Sequence, residues 1–194
     1  MNQQKINFPE VLICENVILE RLEHVHCEEL YNAVMANKEY LGDFMHWLTD
    51  DYTLDDQEQF INGQEEEWEE GKTFTYAIVN KEDDSVIGTI CATNSNCLKG
   101  GYCLGYWLSN KYTKQGIMTD CVDVLTDFIL TELNVSKVSL WTELGNVASM
   151  KVAFKAGFLF ENTQYNGILE GEKNMDINFF TKLKDKEKMK KLEQ

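Results

Sequence analysis

The run Val17-Ile18-Leu19-Glu20-Arg21-Leu22 has the β-branched, apolar content of a strand, and behind it Cys27, Leu30, Tyr31 and Val34 recur at helical spacing. Thr53 with Asp56 three residues on reads as a capping box, and Phe60, Ile61 and Trp68 then share one face of a second helix. Two extended runs, Thr73 to Asn80 and Ser85 to Thr93, flank the polar turn Lys81-Glu82-Asp83-Asp84 and predict an antiparallel hairpin. Gly100-Gly101 opens a third run, Tyr102 to Leu108, which completes a meander. After a loop from Ser109 to Gln115, the positions Ile117, Cys121, Leu125, Phe128 and Ile129 trace the stripe of a long helix, and the short β-branched run Val138 to Trp141 follows. Asn146 is placed to cap a helix with a predicted inner face of Val147, Met150 and Phe154, and Gly157 marks its stop. Phe158 to Tyr165 and Met175 to Leu183 read as two closing strands.

The resulting order, β-α-α-β-β-β-α-β-α-β-β, predicts a mixed α/β sheet that is antiparallel early. The helical crossover makes the strands ending at Leu108 and Trp141 parallel neighbours. A single domain over residues 1–183 is expected, with Lys184 to Gln194 as a charged tail, frayed or loosely helical, and no repeat or linker. Of the 194 residues 43% are hydrophobic and 26% charged, with one proline, a balance that excludes collagen-like and disordered chains. No apolar run approaches the roughly 20 residues that cross a bilayer. Met1 to Glu10 has neither a basic segment nor an apolar one, so a cytoplasmic protein without membrane partners is expected.

Eighteen basic residues against thirty-three acidic ones leave a formal charge of -15, a field that repels nucleic acid. The same field draws in cations and suits an amine substrate, although solubility alone accounts for it equally. Cys14, Cys27, Cys91, Cys97, Cys103 and Cys121 are scattered without a Cys-x-x-Cys pair. No metal site is expected from them, and buried reduced thiols are the simpler reading.

Chemistry concentrates between Gly105 and Thr119, where a strand passes through a polar loop into a helix. The first-turn amides of that helix have no intrahelical acceptor, and with the positive end of the helix dipole they form a site for phosphate or pyrophosphate. Gly116 would let the backbone approach such an anion closely; an ordinary surface loop whose glycine eases a turn fits the same residues. Lys111 and Lys114 read equally as cationic contacts or as solvated loop positions. Downstream, the stretch Asn146 to Phe158 sets Asn146 and Ser149 on the first turn of the next crossover helix.

The strand Gly105-Tyr106-Trp107-Leu108, the run Lys114-Gln115-Gly116-Ile117-Met118-Thr119 and the pattern Asn-x-x-Ser-x-Lys-Val-x-x-Lys-x-Gly-Phe from Asn146 together resemble the GNAT N-acetyltransferases. More narrowly they are similar to the RimJ/RimL branch, which acetylates protein N-terminal amines, including those of ribosomal proteins. Glu29-Leu30-Tyr31, Asn37 to Leu41 and Trp47-Leu48 resemble the N-terminal helices of that branch, so the likeness covers most of the chain. The resemblance implies the GNAT fold: one mixed, mostly antiparallel sheet with a splayed central parallel pair and about four flanking helices. It also implies acetyl-CoA as acetyl donor, lying where the two parallel strands part. Its pantetheine would run along the backbone of Tyr106, Trp107 and Leu108. Its pyrophosphate would sit on Thr113, Lys114, Gln115, Gly116, Ile117, Met118 and Thr119, and Asn146, Ser149 and Phe154 complete the implied cofactor-binding set. The usual family pattern is Gln or Arg, two residues, Gly, one residue, Gly or Ala. Here Thr113 and Met118 depart from its first and last positions. Backbone amides do most of the holding, so loss of Gly116 should matter more than those side chains.

The implied reaction is direct acetyl transfer to a primary amine, most simply a protein N-terminal α-amine of the ribosomal-protein-serine type. A small-molecule acceptor such as a polyamine or aminoglycoside, and an inactive CoA-binding module, are the alternatives. An α-amine, with pKa near ~8, is easier to deprotonate than a lysine near ~10.4, so a strong base is optional. The resemblance makes Ser149 the catalytic residue near the leaving sulfur, whereas the residue by itself reads as a helix serine bonding its own backbone. Many GNAT enzymes carry a tyrosine acid before the final Gly-Phe; here that turn is Val152-Ala153-Phe154. The branch's proposed glutamate base falls near Ile168, with Glu170 and Glu172 close by, and is not carried over. A water relay to a carboxylate and direct proton loss to solvent both stay open. Asn146 reads as an N-cap that also orients polar groups. His24, His26 and His46 lie in the N-terminal region, and His46 beside Trp47 either lines the acceptor groove or is an unused, partly exposed histidine. Ten carboxylates between Asp50 and Glu70 read as a guide for a cationic acceptor or as a solvated helix face. A homodimer is left open.

Overall fold

Eight strands join one sheet in the order β1-β2-β3-β4-β5-β6-β8-β7 in the computed structural model, which describes residues 8–94, 101–133, 135–170 and 173–184. The chain runs β1 (Val11–Ile13), β2 (Val17–Arg21), α1 (Cys27–Ala36), α2 (Lys38–Gly42), α3 (Leu54–Glu69), β3 (Thr73–Asn80) and β4 (Val86–Thr93). It continues through β5 (Tyr102–Leu108), α4 (Ile117–Thr131), β6 (Lys137–Glu143), α5 (Val147–Lys155), β7 (Leu159–Glu170) and β8 (Lys173–Leu183). Every strand pair is antiparallel except β5 with β6. The predicted mixed sheet with one central parallel pair is therefore the observed one.

Strand β3 is buried along its whole length, because both faces of the sheet are covered. Its alternation divides the core: Phe74, Tyr76 and Ile78 pack in the cluster with the α4 residues Cys121, Val122 and Leu125, while Ala77 and Val79 pack with Leu30 and Val34 of α1 and Ile61 of α3. Among the described residues, no helix is long and apolar enough to cross a membrane.

Two glycines fix where the parallel pair holds and where it opens. At Gly101, just before β5, a Cβ would meet the Lys137 carbonyl oxygen at 2.8 Å, so β5 and β6 are pressed together at their beginnings. At Gly88 of β4, a Cβ would meet the Trp107 carbonyl oxygen at 2.3 Å, so the far end of β5 stays close to β4. Pairing with β6 accordingly covers only Tyr102 to Leu104 against Val138 to Leu140, although β5 continues to Leu108 and β6 to Glu143. The sheet is split there into a V.

Several expectations need correction. Strand β1 was not foreseen, and helix α2 only through the resemblance of Asn37 to Leu41; three residues in an exposed-intermediate-exposed pattern, and a five-residue helix, are too short for periodicity to show. Strand β6 extends two residues beyond Trp141, and β7 runs past Tyr165 to Glu170. The inner face predicted for α5 holds at Met150, which packs against the core, and fails at its other two positions: Val147 is 55% and Phe154 54% exposed, while Ala153 of α5 and Ala156 just after it are buried. Small side chains bring this short helix close to the core, and the Phe154 ring instead meets Phe180 edge-on at 5.3 Å. Phe60 faces a cavity rather than the core. Cys14, Cys27 and Cys121 are buried as expected, whereas Cys91 and Cys103 are only partly so. Cys97 and the tail from residue 185 onward lie outside the described residues.

Candidate active site

The loop after β5 is built by its own polar side chains. Asn37 bridges it to α1, donating from Nδ2 to Ser109 Oγ at 3.0 Å and accepting from the Asn110 amide at 2.8 Å. Thr113 Oγ1 donates to the Asn110 carbonyl, and Gln115 Nε2 to the Lys111 carbonyl. These side chains are engaged within the loop, and Lys111 lies over the Tyr112 ring. What the loop offers at its end is backbone. Gly116 is the N-cap of α4 with φ of 88°, a left-handed conformation that L side chains rarely adopt, and the space where its Cβ would stand is open. The first helical bond runs from the Asp120 amide to the Gly116 carbonyl, so the preceding amides have no acceptor inside the helix. Leu108, Ile117 and Met118 bury their side chains in the core and can contribute to such a site only through the main chain.

Asn146 caps α5 as expected, its Oδ1 accepting from the Ser149 amide at 3.0 Å. This aims the first turn of α5 at the open end of the V. There the Ser149 and Tyr106 hydroxyls are 2.9 Å apart, and the phenol also donates to the Ser149 carbonyl at 3.3 Å. Burial pushes the Tyr106 phenol well above its ordinary value, against a smaller opposing effect of the serine contact. The phenol therefore keeps its proton at neutral pH. The sequence pointed to Ser149 and to the Tyr106 backbone, but not to this hydroxyl pair. Tyr106 stands on β5 and Ser149 on α5, and only the splay brings the two elements together.

A cavity of about 710 Å³ opens from this point toward α1, α3 and the segment between α2 and α3. Its aromatic wall is Phe44, Trp47, Tyr52, Phe60, Trp107 and Trp141. Glu67 and Glu143 also line it, and among the described lining residues there is no lysine or arginine. His46 lies in its wall and approaches Glu143, Nε2 to Oε2, at 3.2 Å. Glu143 was not singled out by sequence; as the last residue of a strand, it carries no motif. His24 and His26 do not line this cavity: the His24 amide bonds Glu65, and the His26 ring pairs with the Glu23 backbone. Phe154 and the segment Thr113 to Thr119 do not line it either; within that segment, open space lies beside Gly116 at the start of α4. The acidic run divides among several tasks: Asp56 caps α3, Glu69 pairs with Arg21, and Glu67 faces the cavity. The side chains of Ile168 and Glu170, and all of Glu172, lie outside the described residues. Among the described residues, no three His, Cys, Asp or Glu side chains are grouped to hold a metal ion.

The profile of the acetyltransferase (GNAT) domain matches residues 16–159. The Bacillus subtilis protein named "Probable N-acetyltransferase YjcK" is 27% identical over 171 residues, 84% of this chain and 94% of that protein. The Escherichia coli ribosomal-protein-serine acetyltransferase is 21% identical over 175 residues, 90% of this chain and 97% of the relative. Among solved structures, RimL in complex with coenzyme A superposes with a TM-score of 0.81 at 18% identity, covering 90% of this chain and 98% of the other. The microcin self immunity acetyltransferase MccE, in complex with acetyl-CoA and AMP, gives a TM-score of 0.79 at 20% identity over 87% and 93% of the two chains.

Proposed function

The chain belongs to the acetyltransferase (GNAT) domain family and is an N-acetyltransferase, and on that premise we propose that it transfers acetyl from acetyl-CoA to a protein N-terminal α-amine. The observation that carries this reading is the hydroxyl pair of Tyr106 and Ser149 at the open end of the β5–β6 split, facing a cavity with carboxylates and no lysine or arginine among its described lining. Residues Gly105 to Leu108 of β5 run on past the pairing with β6, and the pantetheine of the substrate pairs there as an added strand. The unbonded amides behind Gly116 receive the diphosphate, favoured by the α4 dipole. Thr113, Lys114, Gln115, Ile117, Met118 and Thr119 serve this contact mainly through main chain and conformation. Asn146 holds the α5 turn, and Phe154 flanks the cofactor from the surface of α5.

With the donor held so, the thioester lies in the V and the acceptor enters from the cavity. The amine nitrogen bonds to the carbonyl carbon, the carbon–sulfur bond breaks, and the thiolate is protonated through the Tyr106–Ser149 pair. No acyl-enzyme is needed, since proximity supplies much of the rate. A protein N-terminus is favoured as acceptor by the printed activity of the Escherichia coli relative and by an aromatic cavity wide enough for a chain end. The reading carries a cytoplasmic location with it.

Incubating the purified protein with acetyl-CoA and panels of serine-terminated peptides, polyamines and aminoglycosides tests it, with products located by mass spectrometry. Acetylation at the peptide α-amine is expected. Products confined to polyamines or aminoglycosides would replace the acceptor, and acetyl-CoA binding without thiol release for any amine would leave a binding module.

A further inference from the structure

We propose that the Glu143 carboxylate is the catalytic base of this transfer, seating the acceptor ammonium and taking one of its protons, with His46 as the residue that positions it. The assignment rests on the acetyl-transfer reading above. Glu143 ends β6, beyond the last pairing with β5, and shares a strand face with Trp141; both line the cavity. Its backbone is fixed, because its carbonyl accepts the amides of Gly145 and Asn146, each at 3.0 Å. That turn leads directly into the Asn146 cap that holds Ser149. The carboxylate and the Ser149 hydroxyl thus hang from the two ends of one short connection.

The side chain is both held and accessible. His46 Nε2 approaches Oε2 at 3.2 Å, no bond engages Oε1 among the described residues, and the side chain is 31% exposed. A neutral imidazole that donates its Nε2 proton orients the carboxylate and leaves its charge intact. The other titratable groups facing the cavity are Glu67 of α3, Tyr52, Cys91 of β4 and Tyr106 of β5. Burial is the largest cause that holds the last three in their protonated, uncharged forms. A cation entering this cavity therefore meets two carboxylates and, among the described lining, no lysine or arginine. Of the two, Glu143 stands on the strand that forms one wall of the V.

The protons balance as follows. An acceptor arriving as R–NH3+ gives one proton to Glu143, and the freed lone pair forms the carbon–nitrogen bond as the carbon–sulfur electrons leave with sulfur. The nitrogen then loses its second proton while the thiolate gains one through Tyr106 and Ser149. Glu143 passes its proton to water, so one proton is released per turnover.

The test compares wild type with E143Q, E143A, H46A and H46Q, following thiol release from acetyl-CoA with the amine of the peptide or polyamine panel that wild type uses best. For E143Q, kcat/KM for the amine is expected to fall about 100-fold or more near neutral pH, the size of a lost general base, with unchanged calorimetric affinity for acetyl-CoA. Its rate should rise about tenfold per pH unit up to the pKa of the amine itself, near ~8 for an α-amine, whereas the wild-type profile bends at lower pH. H46A should lose about tenfold, and H46Q, which can still donate to the carboxylate, should recover most of it. Added formate should partly restore E143A, whose missing carboxylate it replaces. An E143Q rate within threefold of wild type, or an unaltered pH profile, would overturn the assignment while leaving the transfer reading standing. Wild type that binds acetyl-CoA but acetylates no amine of the panel would overturn both.

Discussion

Two hydroxyls from different elements, Tyr106 on β5 and Ser149 on α5, share one 2.9 Å contact at the point where the thioester is proposed to lie. Because they act through that contact, their removal should not be additive. Ser149→Ala and Tyr106→Phe are each expected to lower kcat about tenfold or more, with the double variant close to the worse single one and acetyl-CoA affinity little changed; steady-state rates beside calorimetry check this. Gly116 acts through conformation instead. Its φ of 88° is strained for a β-branched residue, so Gly116→Val should rotate the first α4 amides and weaken acetyl-CoA at least about tenfold by calorimetry. Ser149 and Gly116 were readable in the sequence because a motif surrounds each. Tyr106 was readable only as backbone, since nothing in a strand sequence says which helix its side chain will meet.

Among the elements, β5 decides whether a site exists at all. It is pressed against β4 at Gly88 and against the start of β6 at Gly101, so the two parallel strands must part where they approach the α4 loop. Gly88→Ala would set a Cβ 2.3 Å from the Trp107 carbonyl oxygen and is expected to cost roughly 1–3 kcal/mol, read as a lower urea midpoint, with β5 displaced and acetyl-CoA affinity reduced as well. Caps and stops were legible: Thr53 and Asp56 form the predicted box, Asn146 caps α5, and Gly157 ends it with a φ of 76°. The buried face of α5 was not. Val147, Met150 and Phe154 suggested it, yet of these three Met150 alone packs against the core, and the fully buried position is Ala153, where close packing rewards a small side chain.

At the scale of the whole molecule, the buried phenols couple folding to alkaline pH. Burial raises the folded-state values of Tyr76, Tyr102 and Tyr106, and Tyr52 is pushed up to about 12 from an ordinary 10.0. A phenol whose folded pKa is raised contributes stability fully below its unfolded value and loses it as pH climbs through the folded one. Stability should therefore be intact below about pH 10 and fall progressively between about pH 10 and pH 12, as urea midpoints measured across that range would show. The hydrophobic periods, turn residues, caps and glycines of the sequence by themselves determined the order of the longer elements, the mixed sheet with its parallel crossover and the glycine that opens α4, because each of these depends on neighbours along the chain. Tertiary structure alone decided the meeting of Tyr106 with Ser149, the pairing of His46 with Glu143 and the rotation of α5. Those contacts join positions 43 and 97 residues apart in the first two cases, and only the packing of the sheet against its helices fixes such distances.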